Sequence, residues 1–176
     1  NCLGVQYMRL ADRIAIVTGG GTGIGEAIAK VFAREGAKVA ITGRRQGELE
    51  RVVEDIKRTG GQALALPGSV TNEDDVQKAV ATTVGTFGRL DILVNNAGNL
   101  FHTGRLHETT DQIWDDTFDV FMKGTFRFIR AVIPQMLQQG GGSILNISTV
   151  AGLKAMPGFE AHAYQAAKAG VIMLTK

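Results

Sequence analysis

The sequence predicts an α/β fold in which a doubly wound parallel sheet is covered by helices on both faces. Short apolar runs, typical of strands buried on both sides, alternate along the 176 residues with longer segments whose apolar residues recur at helical spacing. The sequence contains no low-complexity segment and no repeat of fixed period. Strands that alternate with helices indicate parallel pairing. The length predicts one domain, residues 1–176, with a sizeable buried core.

The first strand, its glycine-rich turn and the following helix are the stretch around which we expect the fold to be arranged. Residues 14–17 are apolar, and the turn TGGGTGIG occupies residues 18–25. Apolar residues then recur at helical spacing, and Gly36 is a suitable C-terminal stop for this helix. The residues expected to form its buried stripe are Ile24, Ile28, Val31 and Phe32.

The later elements follow the same pattern. Strands are predicted at residues 39–42, 63–66, 90–94 and 143–147, and helices at residues 46–59, 110–139 and 163–176. A further helix is predicted to begin at Thr71, where TNED resembles a capping box, and to bury Val76, Val80 and Val84. We expect the long region 110–139 to be interrupted near its middle and kinked at Pro134.

Composition narrows the classes of partner and compartment. Nineteen basic and seventeen acidic residues give a net charge of +2, too balanced to favour a nucleic acid. No apolar run approaches the ~18 residues of a membrane span, so no membrane partner is expected. The single cysteine, Cys2, excludes an internal disulfide and fits the cytoplasm or another reducing compartment, such as an organelle matrix. The N-terminus lacks a secretory pattern and an initiator Met, which favours a trimmed or partial chain.

The glycine-rich turn predicts a nucleotide-binding site. Backbone N–H groups at a helix N-terminus, together with the helix dipole, favour a phosphate, and glycine permits the tight turn and close approach. The strict G-x-G-x-x-G pattern is not met, and the pattern present is T-G-x-x-x-G-x-G, with Gly19, Gly23 and Gly25. The alternative is a glycine-rich connection without a ligand. The entropic cost of five glycines in seven residues makes that the weaker interpretation.

Two arginines after the second strand favour NADP(H) over NAD(H). The adenosine ribose of a nicotinamide cofactor usually meets this point, where an acidic residue binds a free 2′-hydroxyl. No Asp or Glu occurs between Lys38 and Gln46, whereas Arg44 and Arg45 do. Their charge favours a 2′-phosphate. The alternative is that both arginines belong only to a solvated turn.

The segment YQAAK places a phenol and an ammonium, those of Tyr164 and Lys168, at positions i and i+4 on one face of a helix. The positive charge favours the phenolate, so the pair can exchange a proton with a carbonyl or alcohol oxygen. When they occur alone, a tyrosine and a lysine at this spacing are more often two neighbouring surface residues. Because it follows a predicted nucleotide site, we interpret it as an acid–base pair.

Four motifs together resemble those of the short-chain dehydrogenase/reductase family, in particular its 3-oxoacyl-carrier-protein-reductase-like members. They are TGGGTGIG, NNAG at residues 95–98, NISTVAG at residues 146–152 and YQAAK. The resemblance covers nearly the whole chain from Leu10 onward. It implies a Rossmann-type, three-layer α/β/α fold, NAD(P)-dependent interconversion of carbonyls and alcohols, and a homotetramer or homodimer.

The resemblance also assigns roles to individual residues. Tyr164 is expected to be the acid/base and Lys168 to bind the nicotinamide ribose, while Thr149 occupies the position of the family's catalytic serine. Gly19, Gly23 and Gly25 are expected to contact the pyrophosphate. The full set expected to contact the cofactor is Gly19, Gly21, Thr22, Gly23, Ile24, Gly25, Arg44, Arg45, Ser69, Val70, Asn96, Ala97, Gly98, Tyr164 and Lys168.

Several positions depart from the family pattern. Thr149 keeps a hydroxyl in place of serine, and its neighbour Ser148, expected to point to the other face of the strand, is the less favoured alternative. Ser69 stands where the family usually has an aspartate that contacts adenine. Phe121 replaces an asparagine that helps to hold a water in a proton relay, so the relay is expected to be rerouted or lost. Core packing is the alternative role of Phe121.

The sequence therefore predicts an NADP(H)-preferring oxidoreductase that acts on a carbonyl/alcohol pair. The alternative is a catalytically impaired relative that binds nucleotide and acts through binding or assembly. Phe121 and the early end at Lys176, about a third short of the family pattern, support that alternative. The three histidines lie too far apart to predict a metal site. The substrate remains open among 3-oxoacyl thioesters, sugars and steroid-like ketones.

Overall fold

Five strands form one parallel sheet in the computed structural model, which describes residues 8–98 and 102–176. They are β1 (Ile14–Thr18), β2 (Lys38–Gly43), β3 (Gln62–Pro67), β4 (Ile92–Asn95) and β5 (Ser143–Asn146). Their order across the sheet is β3-β2-β1-β4-β5. The predicted fold class is confirmed, and the strand ends differ from the prediction by one or two residues. Cys2 lies outside the described residues.

Helices connect the strands and cover both faces of the sheet. They are α1 (Gly23–Arg34), α2 (Gln46–Arg58), α3 (Glu73–Phe87), α4 (Asp111–Phe118), α5 (Gly124–Gln138) and α6 (His162–Leu174). None of the helices in residues 8–98 and 102–176 is long and apolar enough to cross a membrane.

Alternate residues of the central strands supply the two core layers. Val17 and Ile41 pack with α1 and α2 on one face, whereas Ile16 and Ala40 pack with α3 and α5 on the other. Each of these four side chains is fully buried. The chain order reverses across β1, because β2 and β3 lie on one side of it and β4 and β5 on the other. Parallel sheets bind ligands at the carboxyl ends of the strands beside such a reversal.

Helix α1 packs on a face different from the predicted one. Its buried residues are Gly25, Ala29 and Ala33, while Ile24 and Val31 of the predicted stripe are 64% and 43% exposed. Small residues allow the helix to approach the sheet closely, and this close packing outweighs the apolar periodicity. Ile28 and Phe32 are partly buried against the core, as predicted.

Two details of the later helices were not predicted. Asn72, not Thr71, caps α3, because its side chain accepts a hydrogen bond from the backbone N–H of Asp75. The region 110–139 is interrupted near its middle, as predicted, and the interruption is a π-helical segment (Asp119–Lys123) between α4 and α5. Helix α5 includes Pro134 and ends at Gln138, and the kink at Pro134 stays a prediction. π-Helical turns often occur at functional sites.

An ion-pair network joins α1 to α2. The Glu26 carboxylate accepts hydrogen bonds from Lys30 at 2.7 Å and from Arg51 at 2.7 Å, and Lys30 also donates to Asp55 at 2.8 Å. The hydrogen bonds from Arg51 and then Lys30 lower the pKa of Glu26 to about 2. The Glu26 side chain is only 20% exposed, so solvent screens these pairs less than fully exposed ones.

We predict that Glu26→Gln lowers the free energy of unfolding by about 1 kcal/mol at pH 7, because Gln cannot pair with Lys30 and Arg51. The pKa of Glu26 is lower in the folded chain than its ordinary value of 4.5, so this stabilisation is present above pH 4.5 and is lost as the pH falls towards 2. Urea unfolding of both proteins from pH 7 to pH 3 measures the difference. Glu54→Gln, at an exposed position of α2, is the control. A difference that does not change with pH contradicts the network.

Candidate active site

A cavity of about 440 Å³ opens at the carboxyl ends of the strands, a volume suited to a small-molecule cofactor. The loops that follow β1, β2, β3 and β4 line it, together with Val120 of the π-helical segment. Twelve of the residues predicted to contact a cofactor lie in its wall: Gly19, Gly21, Thr22, Gly23, Ile24, Arg44, Arg45, Ser69, Val70, Asn96, Ala97 and Gly98. Loops from separate parts of the sequence therefore form one concave site.

The glycine-rich turn forms the wall nearest to β1 and begins α1. Gly19 and Gly23 have φ values of +68° and +59°, which residues with a side chain rarely adopt. A Cβ on Gly19 would lie 2.9 Å from the Cα atom of Ala97, whereas one on Gly23 would meet no atom within 4 Å. Gly23 therefore leaves space at the N-terminus of α1, where a phosphate is favoured.

Gly25 lies behind this turn and does not line the cavity. It is buried in the first turn of α1, and a Cβ there would overlap the carbonyl oxygen of Gly19. The same Cβ would lie 2.5 Å from the Nδ2 atom of Asn96. Gly25 therefore permits close packing of α1 against the turns after β1 and β4, and its pyrophosphate contact stays a prediction.

The turn after β4 is hydrogen-bonded to the end of β1. The Thr18 hydroxyl accepts hydrogen bonds from the backbone N–H groups of Asn96 and Ala97, both at 2.9 Å. The Asn96 amide donates to the Thr18 carbonyl oxygen at 3.0 Å. The sequence did not predict this role for Thr18, although a polar residue at the end of an apolar strand was a usable signal.

Arg44 and Arg45 lie in the cavity wall beside a carboxylate that the sequence analysis missed. Arg45 donates to the Thr22 hydroxyl at 3.2 Å. Glu48, one turn into α2, also lines the cavity, and it pairs with Arg51 at 3.3 Å. Arg51 in turn donates to the Gly21 carbonyl oxygen at 3.1 Å. A carboxylate is thus present near the arginines, but Arg51 compensates its charge.

Lys168 is buried next to the end of β5. Its side-chain ammonium donates to the Ile147 carbonyl oxygen at 2.6 Å and lies 4.9 Å from the centroid of the Phe121 ring. Burial lowers the pKa of Lys168 to about 8, because water no longer stabilises the charged form. The group is therefore close to its titration point at neutral pH.

Tyr164 lies one turn before Lys168 on α6 and is half-buried. Its ring meets the Phe121 ring edge-to-face at a centroid separation of 5.0 Å and the Phe159 ring at 6.2 Å. Phe121 thus contacts both members of the predicted acid–base pair. A Cβ on Gly98, in the cavity wall, would overlap the same ring. The pair therefore adjoins the end of the cavity, although Tyr164 and Lys168 do not line it.

The two hydroxyls after β5 make different contacts. The Ser148 hydroxyl donates to the backbone carbonyl oxygen of Lys168 at 3.0 Å. The Thr149 hydroxyl accepts a hydrogen bond from the Ala151 N–H at 3.2 Å and caps a short 3₁₀ turn (Val150–Gly152). Gly152 lets this turn pack on α6, since a Cβ there would lie 3.0 Å from the Ala169 nitrogen. The Ser148 hydroxyl thus donates its proton to the helix backbone, whereas the Thr149 hydroxyl accepts in the bond to Ala151.

No group of three or more His, Cys, Asp or Glu side chains suited to a metal ion occurs in the part of the chain that the structure describes.

The chain is similar to known proteins over almost its whole length. The family model for short chain dehydrogenases matches residues 13–176. An uncharacterized oxidoreductase of Thermotoga maritima is 41% identical over 169 residues, covering 96% of this chain and 65% of that protein. A 3-oxoacyl-[acyl-carrier-protein] reductase FabG of Staphylococcus aureus is 44% identical over 163 residues, covering 92% of this chain and 65% of that protein.

A solved structure extends the similarity to three dimensions. The crystal structure of gox2181 matches with a TM-score of 0.92 at 36% sequence identity, over 96% of this chain and 65% of that one. The chain thus spans 65% of the length of each of these three proteins. Because the family model matches from the start of β1 to the last residue, the chain belongs to the short-chain dehydrogenase family.

Proposed function

We propose that this chain contains the cofactor site and the acid–base pair of an oxidoreductase that interconverts a carbonyl and an alcohol with NADP(H). The observation that carries the proposal is the contact of one ring, that of Phe121, with Tyr164, Lys168 and the cavity wall at Gly98. A proton-transfer pair next to a dinucleotide site is what such a reaction needs. The name of the Staphylococcus aureus relative, a 3-oxoacyl-[acyl-carrier-protein] reductase, is consistent with a carbonyl substrate.

The residues present fit a dinucleotide. The cavity has room at Gly23 for a phosphate at the N-terminus of α1, and the N–H groups of that helix end are suitable donors. Gly19, Gly21 and Thr22 would hold the pyrophosphate, and Asn96, Ala97 and Gly98 would line the adenosine side. When bound, the nicotinamide supplies or accepts the hydride.

We propose that the 2′-phosphate of NADP(H) is preferred to the free hydroxyl of NAD(H). Arg44 and Arg45 contribute two positive charges to the cavity wall. Glu48 is the opposing group, but its ion pair with Arg51 reduces its ability to accept a hydrogen bond from a ribose hydroxyl. The net charge at this end of the cavity therefore favours an anion.

The chain's own residues supply the proton that the carbonyl oxygen takes up in the proposed reaction. In the reductive direction Tyr164 donates its phenolic proton to the carbonyl oxygen, and the neighbouring Lys168 ammonium favours the phenolate that remains. The Thr149 hydroxyl orients the carbonyl oxygen by a hydrogen bond. Because Lys168 is buried, its charge acts on the phenol with little screening by water.

We also propose that the chain associates as a homodimer or homotetramer. Apolar side chains are exposed along α5, where Phe126 and Ile133 are each 40% exposed and Leu137 is 75% exposed. Trp114 of α4 is 38% exposed and stacks on Phe118 at 4.9 Å. Apolar surface of this kind is typical of an interface between subunits.

A second candidate function is supported by Phe121. Phenylalanine cannot hydrogen-bond the relay water that the family's asparagine helps to hold, so a chain that binds the nucleotide without turnover remains the alternative. Binding of NADPH with no reduction across a panel of ketones would favour it. Oxidation of NADPH by wild type, followed by absorbance, would exclude it.

We predict that Tyr164→Phe lowers turnover with NADPH and a reducible ketone by roughly 10²–10⁴-fold, because Phe retains the ring but has no proton to donate. Steady-state NADPH oxidation measures turnover, and NADPH affinity from nicotinamide fluorescence is expected to change little. Undiminished oxidation by Tyr164→Phe would show that another group is the acid.

We predict that Thr149→Val lowers kcat by roughly 10-fold or more, whereas Thr149→Ser retains most of it, since only the hydroxyl orients the substrate. Ser148→Ala is the matched control, because its hydroxyl is bound to the Lys168 carbonyl oxygen. Equal losses for Thr149→Val and Ser148→Ala would contradict this assignment.

We predict that Arg44→Asp weakens NADPH binding about tenfold or more while changing NADH binding much less, because the lost charge faces the 2′-phosphate. Fluorescence titration with each cofactor gives the two Kd values. Lys57→Asp, the same change of charge at the far end of α2, is the control. An equal loss for NADPH and NADH would show that Arg44 does not distinguish them.

A further inference from the structure

Phe121 occupies the centre of the acid–base site. It lies in the π-helical segment between α4 and α5 and is 4% exposed. Its backbone carbonyl oxygen accepts a hydrogen bond from the Thr125 hydroxyl at 2.7 Å, which ties the segment to α5. This hydrogen bond fixes the backbone from which the ring extends, and the side chains packed around the ring limit its movement.

The ring lies within cation–π distance of a charged group. The Lys168 ammonium lies 4.9 Å from the ring centroid, within the range at which a ring face attracts a cation. Such an attraction is larger where water is excluded, and Lys168 is 6% exposed. The Ile147 carbonyl oxygen, at 2.6 Å, is a polar partner of the same ammonium.

The same ring also contacts the phenol ring of Tyr164. Its edge-to-face arrangement with Tyr164, with centroids 5.0 Å apart and planes inclined at 76°, is a favoured geometry for aromatic pairs. One side chain thus contacts the phenol and the ammonium of the pair and also packs against Gly98 in the cavity wall.

From these contacts we propose that Phe121 is a positioning residue of the proton-transfer pair, whose ring attracts the Lys168 ammonium and orients Tyr164 in a water-poor site. In this arrangement an aromatic ring, and not a hydrogen-bonding side chain, lies against the lysine. The inference rests on the proposed function, because the pair that the ring positions is the proposed acid–base pair.

The charged groups of the π-helical segment beside Lys168 pair with one another or with α5. In the π-helical segment Asp119 pairs with Lys123 at 3.8 Å and with Arg127 of α5 at 2.9 Å. The turn after β5 contributes the Ile147 carbonyl oxygen and the Ser148 hydroxyl, which is bound to the Lys168 backbone. On α6 itself, Tyr164 is the titratable neighbour. Desolvation by burial is the cause of the lowered pKa of Lys168, so a change in its surroundings should be visible in its titration.

Three substitutions separate attraction by the ring from simple packing. Phe121→Leu keeps the site apolar but removes the ring, so the pKa of Lys168 should fall below about 8 by about one unit. Phe121→Asn supplies a dipole and admits water, so the pKa should rise towards the ordinary value of 10.5. Phe121→Tyr keeps the aromatic face and should leave the pKa close to that of wild type.

The measurement is the titration of the Lys168 ¹³Cε resonance by NMR in the 176-residue chain, assigned by its loss in Lys168→Met. It needs neither cofactor nor substrate. Circular dichroism and the thermal midpoint identify variants that fold, and the comparison of folded Phe121→Leu with wild type is the deciding one. The order Leu, then wild type and Tyr, then Asn, from lowest to highest, supports the proposal.

A rise in the pKa for Phe121→Leu would overturn the proposal, because it would mean that the ring only fills space and excludes water. Equal pKa values in all variants would overturn it as well. Failure of the proposed function is distinguished by NADPH oxidation. Wild type that turns over a ketone, with no ordered shift among the variants, contradicts only the role of Phe121. Ordered shifts without turnover contradict only the oxidoreductase proposal.

Discussion

The close approach of the turns after β1 and β4 is the constraint on which the rest of the site depends. These strands are neighbours in the sheet but 78 residues apart in the sequence at the Thr18–Asn96 contact. The Thr18 hydroxyl accepts two backbone N–H groups there, and Gly19 has no side chain to separate the turns. Because both turns are held, the N-terminus of α1 faces the same cavity as the loops that follow β2 and β3. Backbone N–H groups at the N-terminus of α1 therefore favour an anion in this cavity without the help of a charged side chain.

Charge at the far end of this cavity reflects a balance of several side chains. Arg44 and Arg45 line the wall with Glu48, and Arg51 lies between Glu48, Glu26 and the carbonyl oxygen of Gly21. The ion-pair network between α1 and α2 therefore also reaches the glycine-rich turn after β1. A change in cofactor preference could arise from Arg51 as well as from the two arginines that face the cavity, because loss of Arg51 would leave Glu48 uncompensated.

The other end of the cavity depends on one buried ring. Phe121 contacts Gly98 in the turn after β4 and both Tyr164 and Lys168 of α6, which are distant from it in the sequence. A buried ammonium needs compensation, which here includes the Ile147 carbonyl oxygen and the aromatic face. Phe121 therefore both supports the idea of an impaired relative and offers a physical means by which the acid–base pair could still be held. The two views differ in whether the ring replaces the function of the asparagine or merely its volume.

The sequence alone determined the alternation of strands and helices, the glycine-rich turn and the i, i+4 placement of Tyr164 and Lys168, because each depends on contacts within a few residues. It did not determine which face of α1 is buried. Gly25, Ala29 and Ala33 are buried because their small size lets the helix lie close to the sheet, and not because they are the most hydrophobic residues of the helix. Nor could the sequence predict the hydrogen bond from Ser148 to the Lys168 backbone, or find Glu48 and Arg51 beside the cavity. Those outcomes rest on hydrogen bonds and ion pairs between residues about 20 to 80 positions apart, such as Ser148 with Lys168, and only the packed tertiary structure brings such partners together.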